Sequence, residues 1–123
     1  MKSSGVRPRQ LRLLKKHLPL LRHMAKCNAK ECRYIATGLS SEVIRVIAQI
    51  AINVMNKNLP LDPKRAVQQL TRYKTQLRAI TQPKTSLPKK RKVLEQEGGF
   101  LGALLSLAVP LISSLIGGLT KGG

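Results

Sequence analysis

The chain has 123 residues, with 23 lysines and arginines against five aspartates and glutamates, a net charge of +18. That length fits one small domain with appendages, and that charge points to a polyanionic partner, either nucleic acid or an anionic membrane surface. Five scattered acids form no catalytic carboxylate pair, no nucleophile–base pair or phosphate-binding loop is visible, and two cysteines imply no disulfide framework; the expectation is a non-enzymatic protein without a cofactor.

Residues 1–7 read as a disordered N-terminus. Met1-Lys2-Ser3-Ser4-Gly5 leads into basic residues and not into an apolar stretch, so no secretory signal is visible and cytosolic synthesis is expected. From Pro8 to Leu18, Leu11, Leu14 and Leu18 recur at helical spacing, with Arg9, Arg12, Lys15 and Lys16 between them; this predicts an amphipathic basic helix that Pro19 ends or kinks. Asn28 is placed to cap a short helix from Ala29 to Thr37, which Gly38 stops. Ser40 or Ser41 caps a third helix, Glu42 to Lys57. Val43, Ile44, Val46, Ile47, Ile50, Ala51, Ile52, Val54 and Met55 cover most of its circumference, and only the strip Arg45, Gln49, Asn53 is polar, so this helix is expected to be central and largely buried.

Asn58-Leu59-Pro60-Leu61 reads as a turn, and Asp62-Pro63 as a helix start with Asp at the N-cap and Pro at the first helical position. Val67, Leu70, Tyr73, Leu77 and Ile80 give that helix an apolar face, and Lys64, Arg65, Arg72, Lys74 and Arg78 occupy the remaining arc. Pro83 stops it. The expectation for residues 8–82 is therefore a small all-α bundle of four or five short helices. A core confined to about residues 10–82 is marginal at that size, so dimerisation or polyanion binding is expected to supply part of the stability.

Residues 83–99 read as a basic linker, within which Thr85-Ser86-Leu87-Pro88 can start a short helix through the basic cluster. Pro88-Lys89-Lys90-Arg91-Lys92-Val93 has the form of a short nuclear-import signal or a nucleic-acid contact. Gly98-Gly99 reads either as a flexible hinge or helix stop, or as a protease site spanning Gln96, Gly98, Gly99 and Phe100, because glycines let a narrow cleft close around extended backbone. Phe100 to Leu119 is twenty residues without a charge, long enough to span a hydrocarbon core at about 1.5 Å per residue. Phe100, Leu101, Leu104, Leu105, Leu107, Leu111, Ile112, Leu115 and Ile116 mark its apolar face, and Gly102, Ser106, Pro110, Ser113 and Gly117 fall on the opposite arc. This hydrophobic C-terminal helix is expected to be membrane-active or membrane-spanning, with residues 120–123 as a short tail. Burial inside a soluble domain is the competing reading.

The charge is uneven along the chain. Residues 1–92 hold 22 basic and three acidic residues, while residues 93–123 carry a net −1. The candidate nucleic-acid-binding side chains are Arg9, Arg12, Lys15, Lys16, Lys64, Arg65, Arg72, Lys74, Arg78, Lys89, Lys90, Arg91 and Lys92. Aromatics are few (Tyr34, Tyr73 and Phe100, no Trp), so contact through phosphates fits better than base stacking along a single strand. His17, His23, Cys27 and Cys32 lack the paired spacing of a metal site, and no metal is implied.

The stretch LEQEGGFLGALLSLAVPLISSLIGGL (Leu94–Leu119), preceded by PKKRKV, resembles the end of the adenovirus core protein X family, the precursors of the small basic core peptide. The pattern is similar also to small basic proteins of adintoviruses and Polinton-type elements, with a helical body, a turn like Pro60-Leu61-Asp62-Pro63, a basic run and a GGF-led tail. The resemblance covers roughly residues 39–119. It implies a viral or viral-element core protein that condenses DNA in the virion, passes through the host nucleus and is matured by a viral cysteine protease after Gly99. Gln96 stands where the family site favours Met, Ile or Leu, and the dense arginine runs of the family are absent. The tail is then expected to meet a membrane or another virion protein. The rival expectations are a tail-anchored membrane protein whose basic domain faces the cytosol, and the precursor of a membrane-lytic peptide.

Overall fold

In the computed structural model, residues 8–55, 64, 68 and 71–122 are described, with side chains over residues 12–55, 64, 68 and 71–114. The expectations for residues 1–7, the turn at 58–61, the Asp62-Pro63 helix start, Arg65, Val67 and Leu70 lie outside them, as do the side chains of Arg9, Leu11, Leu115 and Ile116. The described residues are all-α, in six helices: α1 (Pro8–Lys26), α2 (Ala29–Ala36), α3 (Ser41–Met55), α4 (Lys74–Thr81), α5 (Leu87–Gln96) and α6 (Gly98–Gly122).

Local chemistry sets most of the boundaries. Asn28 and Glu31 form a complete capping box: the Asn28 side chain accepts from Glu31 N at 2.8 Å, and the Glu31 carboxylate accepts from Asn28 N. Ser40 Oγ accepts from Val43 N at the start of α3. Ser86 Oγ accepts from Lys89 N, and Pro88 sits in the first turn of α5, where its missing N–H leaves no bond unmade. Glu97 serves two helices. Its N–H donates to Val93 O to close α5, and its carbonyl accepts from Phe100 N and Leu101 N to open α6, so the chain turns by 95° there.

Two helical expectations are resolved by packing. Of the two readings of Pro19, an end or a kink with Leu20, Leu21 and Met24 as a continuation, the second holds: α1 runs to Lys26 with Pro19 inside it. Proline removes one backbone bond, to residue 15. Pro19 and Lys15 are both exposed, whereas Leu18, Leu21 and Met24 are buried, so water can serve the released carbonyl while packing holds the helix. α3 is central and largely buried as expected, and its polar strip is graded: Arg45 is exposed, Gln49 is half-buried, and Asn53 is buried and is not without a partner. The reason is that α3 packs against α1, α4, α5 and α6, leaving little of its circumference uncovered.

The largest correction concerns the core. It is not confined to residues 10–82. One continuous hydrophobic cluster joins Leu14, Leu18, Leu21 and Met24 of α1, Cys32 and Ala36 of α2, the apolar face of α3, Leu77 and Ile80 of α4 and Leu94 of α5 to Phe100, Leu101, Leu104, Leu105, Ala108, Val109 and Ile112 of α6. α6 has its most extensive packing on α1 and α2, and Ser106 Oγ donates to Ala25 O at 3.1 Å. The apolar arc expected to face lipid is the face that closes the bundle.

Candidate nucleic-acid interface

The candidate surface is built from cations left outside once each helix has buried its apolar side. On α1, Arg12, Lys15 and Lys16 are exposed. Lys64 and Arg72, which precede α4, are exposed, as are Lys74 and Arg78 on α4 and Lys89 and Lys92 on α5; Lys64 is not without a partner. Lys90 and Arg91 are half-buried, and the Arg91 guanidinium donates to Leu39 O, clamping α5 to the turn before α3. The Pro88–Val93 cluster is thus held on a helix by the Ser86 cap, and Lys89 and Lys92 are its members free of packing duties. α4 and α5 lie against each other and against α3, and α1 lies against α6, α2 and α3. The cations of α4 and α5 are therefore carried on neighbouring helices, and those of α1 on another helix that packs on α3.

Sequence reasoning missed several contributors. Lys26, Lys30, Arg33, Arg45 and Lys84 are also exposed, and their signal was the overall shortage of acids rather than any motif. Arg22, exposed on α1, donates to Ser113 Oγ of α6 at 3.3 Å, and Arg33 Nε donates to Glu95 O at 3.2 Å. These two arginines join elements without losing their charge. Among the described residues the ion pairs are those of Glu42 with Lys16, at 3.1 Å, and with His17, at 2.8 Å. The hydrogen bond from His17, then that from Lys16, holds the Glu42 carboxyl below its ordinary range. Glu31 is spent on its capping box. Among the described residues intramolecular neutralisation by these two acids is accordingly slight.

The predicted protease segment is placed differently from the expectation. Gln96 is exposed, but Gly98 is buried, Gly99 is half-buried and Phe100 is buried, with its ring 5.7 Å from that of Tyr73. Gly98 and Gly99 open α6 instead of forming a flexible hinge. Gly98 sits where any side chain would collide with the Ala29 backbone and with Arg33 Cγ, and a Cβ on Gly99 would come 2.9 Å from Tyr73 Oη. The first glycine is thus a close-packing residue that lets the start of α6 cross the start of α2.

The predicted membrane face is interior. Phe100, Leu101, Leu104, Leu105, Leu107 and Ile112 are buried and Leu111 is half-buried. Among the described residues no single helix is long and apolar enough to cross a membrane; only the bent pair formed by α5 with residues 98–114 meets those criteria together. Neither cysteine is paired. Cys32 is buried, its thiol donates to Met24 O at 3.2 Å, and desolvation pushes its pKa up to about 11. Among the described residues no cluster of three or more metal-ligating side chains occurs. Between α1 and α3 a shallow cavity of about 130 Å³ is lined by Leu13, Leu14, Arg45, Val46 and Gln49, well below the roughly 300 Å³ at which small-molecule sites begin. Comparison with protein-family models, with curated proteins and with solved structures finds no match.

Proposed function

We propose that this chain is a non-enzymatic DNA-binding and DNA-condensing protein, contacting phosphates with little sequence preference, in the manner of the viral core proteins it resembles. The observation that carries the reading is the set of exposed cations on α1, α2, α3, α4 and α5, among which Lys16 is the one held in an ion pair to Glu42. Helices that solvate themselves usually mix both signs; an excess of one sign across five helices is stored affinity for a polyanion. α6 serves this function from inside, as the element that completes the core and holds the basic helices in place. Either membrane role for α6 would require withdrawing Phe100, Leu101, Leu104 and Leu105 from that core, so the DNA reading is favoured over the tail anchor and the lytic precursor. Maturation after Gly99 is proposed only for a chain in which the first turn of α6 has opened, because proteases take extended backbone. On this reading the protein acts in the virion and in the host nucleus.

The test is duplex binding across a salt series. Log affinity should fall linearly with log salt at about −0.9 per phosphate neutralised. Replacing Lys89, Lys90 and Lys92 together by alanine should make the slope shallower by up to about 3. Affinity that ignores salt, or an absence of binding, overturns the proposal.

A further inference from the structure

Three aromatic rings are present in the chain, and the structure separates them into two kinds. Tyr73 and Phe100 pack against one another at 5.7 Å, with Phe100 fully buried. Tyr34 is left 80% exposed, the most exposed large apolar side chain described. It stands on the side of α2 opposite Cys32 and Ala36, which are buried in the core. A ring on a helix with a complete capping box is presented from a fixed backbone. That backbone is further tied by Thr37 Oγ, which donates to Tyr34 O at 2.7 Å. Cations flank it. Lys30 lies one turn earlier on the same face, and Arg33 is adjacent, pinned by its bond to Glu95 O. The nearby acid, Glu31, is turned back onto Asn28 N. α5, carrying Lys89 and Lys92, packs against α2.

We infer that Tyr34, between Lys30 and Arg33, is a stacking platform for an unpaired nucleobase, so that the surface that grips duplex phosphates also holds single-stranded ends or looped-out nucleotides. This rests on the nucleic-acid reading above and extends it to a second form of the ligand. The chemistry is that of single-strand binders: cations follow the backbone while a flat, electron-rich ring accepts the face of any base. The charge around Tyr34 is what favours a nucleic acid over a protein partner, because a protein hot spot is typically ringed by groups that exclude water and carries little unpaired charge at its centre.

The experiment compares the full chain with Tyr34→Ala and Tyr34→Phe for binding to oligothymidylate and to a duplex of equal length at one salt concentration. Tyr34→Ala should weaken oligothymidylate binding about 5- to 100-fold and leave duplex binding within about twofold. Tyr34→Phe should bind both as the parent does, because stacking needs the ring and not the hydroxyl. Oligothymidylate should also quench the intrinsic tyrosine fluorescence of the parent more than duplex does. An unchanged thermal melt shows that each variant is folded, as expected for so exposed a side chain. Equal weakening of both ligands by Tyr34→Ala, or of neither, overturns the inference while duplex binding stands. A parent chain that binds neither ligand overturns the inference together with the DNA reading.

Discussion

At position 98 a methyl group would meet the Ala29 carbonyl and approach Arg33 Cγ to 2.6 Å, whereas at position 102 it would lie 3.8 Å from Cys27 O and Cys32 Sγ, an ordinary contact. The two glycines of one helix therefore predict opposite outcomes. Gly98→Ala should destabilise by about 1–3 kcal/mol, the range for overpacking against backbone that must move. Gly102→Ala should stabilise by about 0.5–1 kcal/mol, because a helix-interior glycine loses its excess entropy and nothing clashes. Urea melts of the two variants check both signs. Glu42 yields a pH prediction. Its folded pKa is lowered, chiefly by the His17 hydrogen bond and then by Lys16, so its contribution is fully present above the ordinary carboxylate range of about 4.3 and is lost as pH falls through the folded value. Glu42→Gln should remove that part of the acid limb, which melts between about pH 5 and pH 2 will show.

Among the elements, α6 has the strongest consequence. Removing residues 100–123 strips the α1 and α2 faces of the cover that Phe100, Leu101, Leu104, Leu105, Ala108 and Ile112 provide. A chain ending at Gly99 should lose its cooperative thermal transition; a sharp melt of that truncation would show that residues 1–99 hold a core of their own. Much of the local element structure was already legible in the chain. The Asn28 cap, the Ser40 cap, the Pro83 stop and the helix start at Thr85–Pro88 depend on near neighbours and are written in a few adjacent residues. Pro19 was harder to read because a proline inside a helix is tolerated only when distant residues bury its neighbours, here Leu18 and Leu21.

For the whole molecule, the uneven charge along the chain does not become two ends in space. The apolar arc of the uncharged segment is interior as far as Ile112 and most of the described cations of α1 to α5 are exposed, so an asymmetry of sequence becomes a difference between inside and outside. Such a surface repels itself, and the isolated protein should gain stability as salt rises from about 10 to 200 mM, where the Debye length shrinks from about 30 to below 8 Å. Calorimetry at both salts checks this, and a Tm that falls with salt would contradict it. Tyr34 belongs to the same scale: its place on the chain says nothing of exposure, and only the burial of Cys32 and Ala36 in the core turns its ring outward.

The sequence by itself determined the helical class, most described helix boundaries, the apolar arc of the last helix and the polycationic character. These depend on local backbone chemistry, on period and on composition. Only the tertiary structure decided what covers that last arc, which glycine is a packing device and which cations and which ring are left to a partner. The physical reason is that apolar burial is non-directional: a leucine stripe satisfies lipid and a protein core alike, and the choice between them rests on whether distant helices leave a complementary face, as α1 and α2 do for α6.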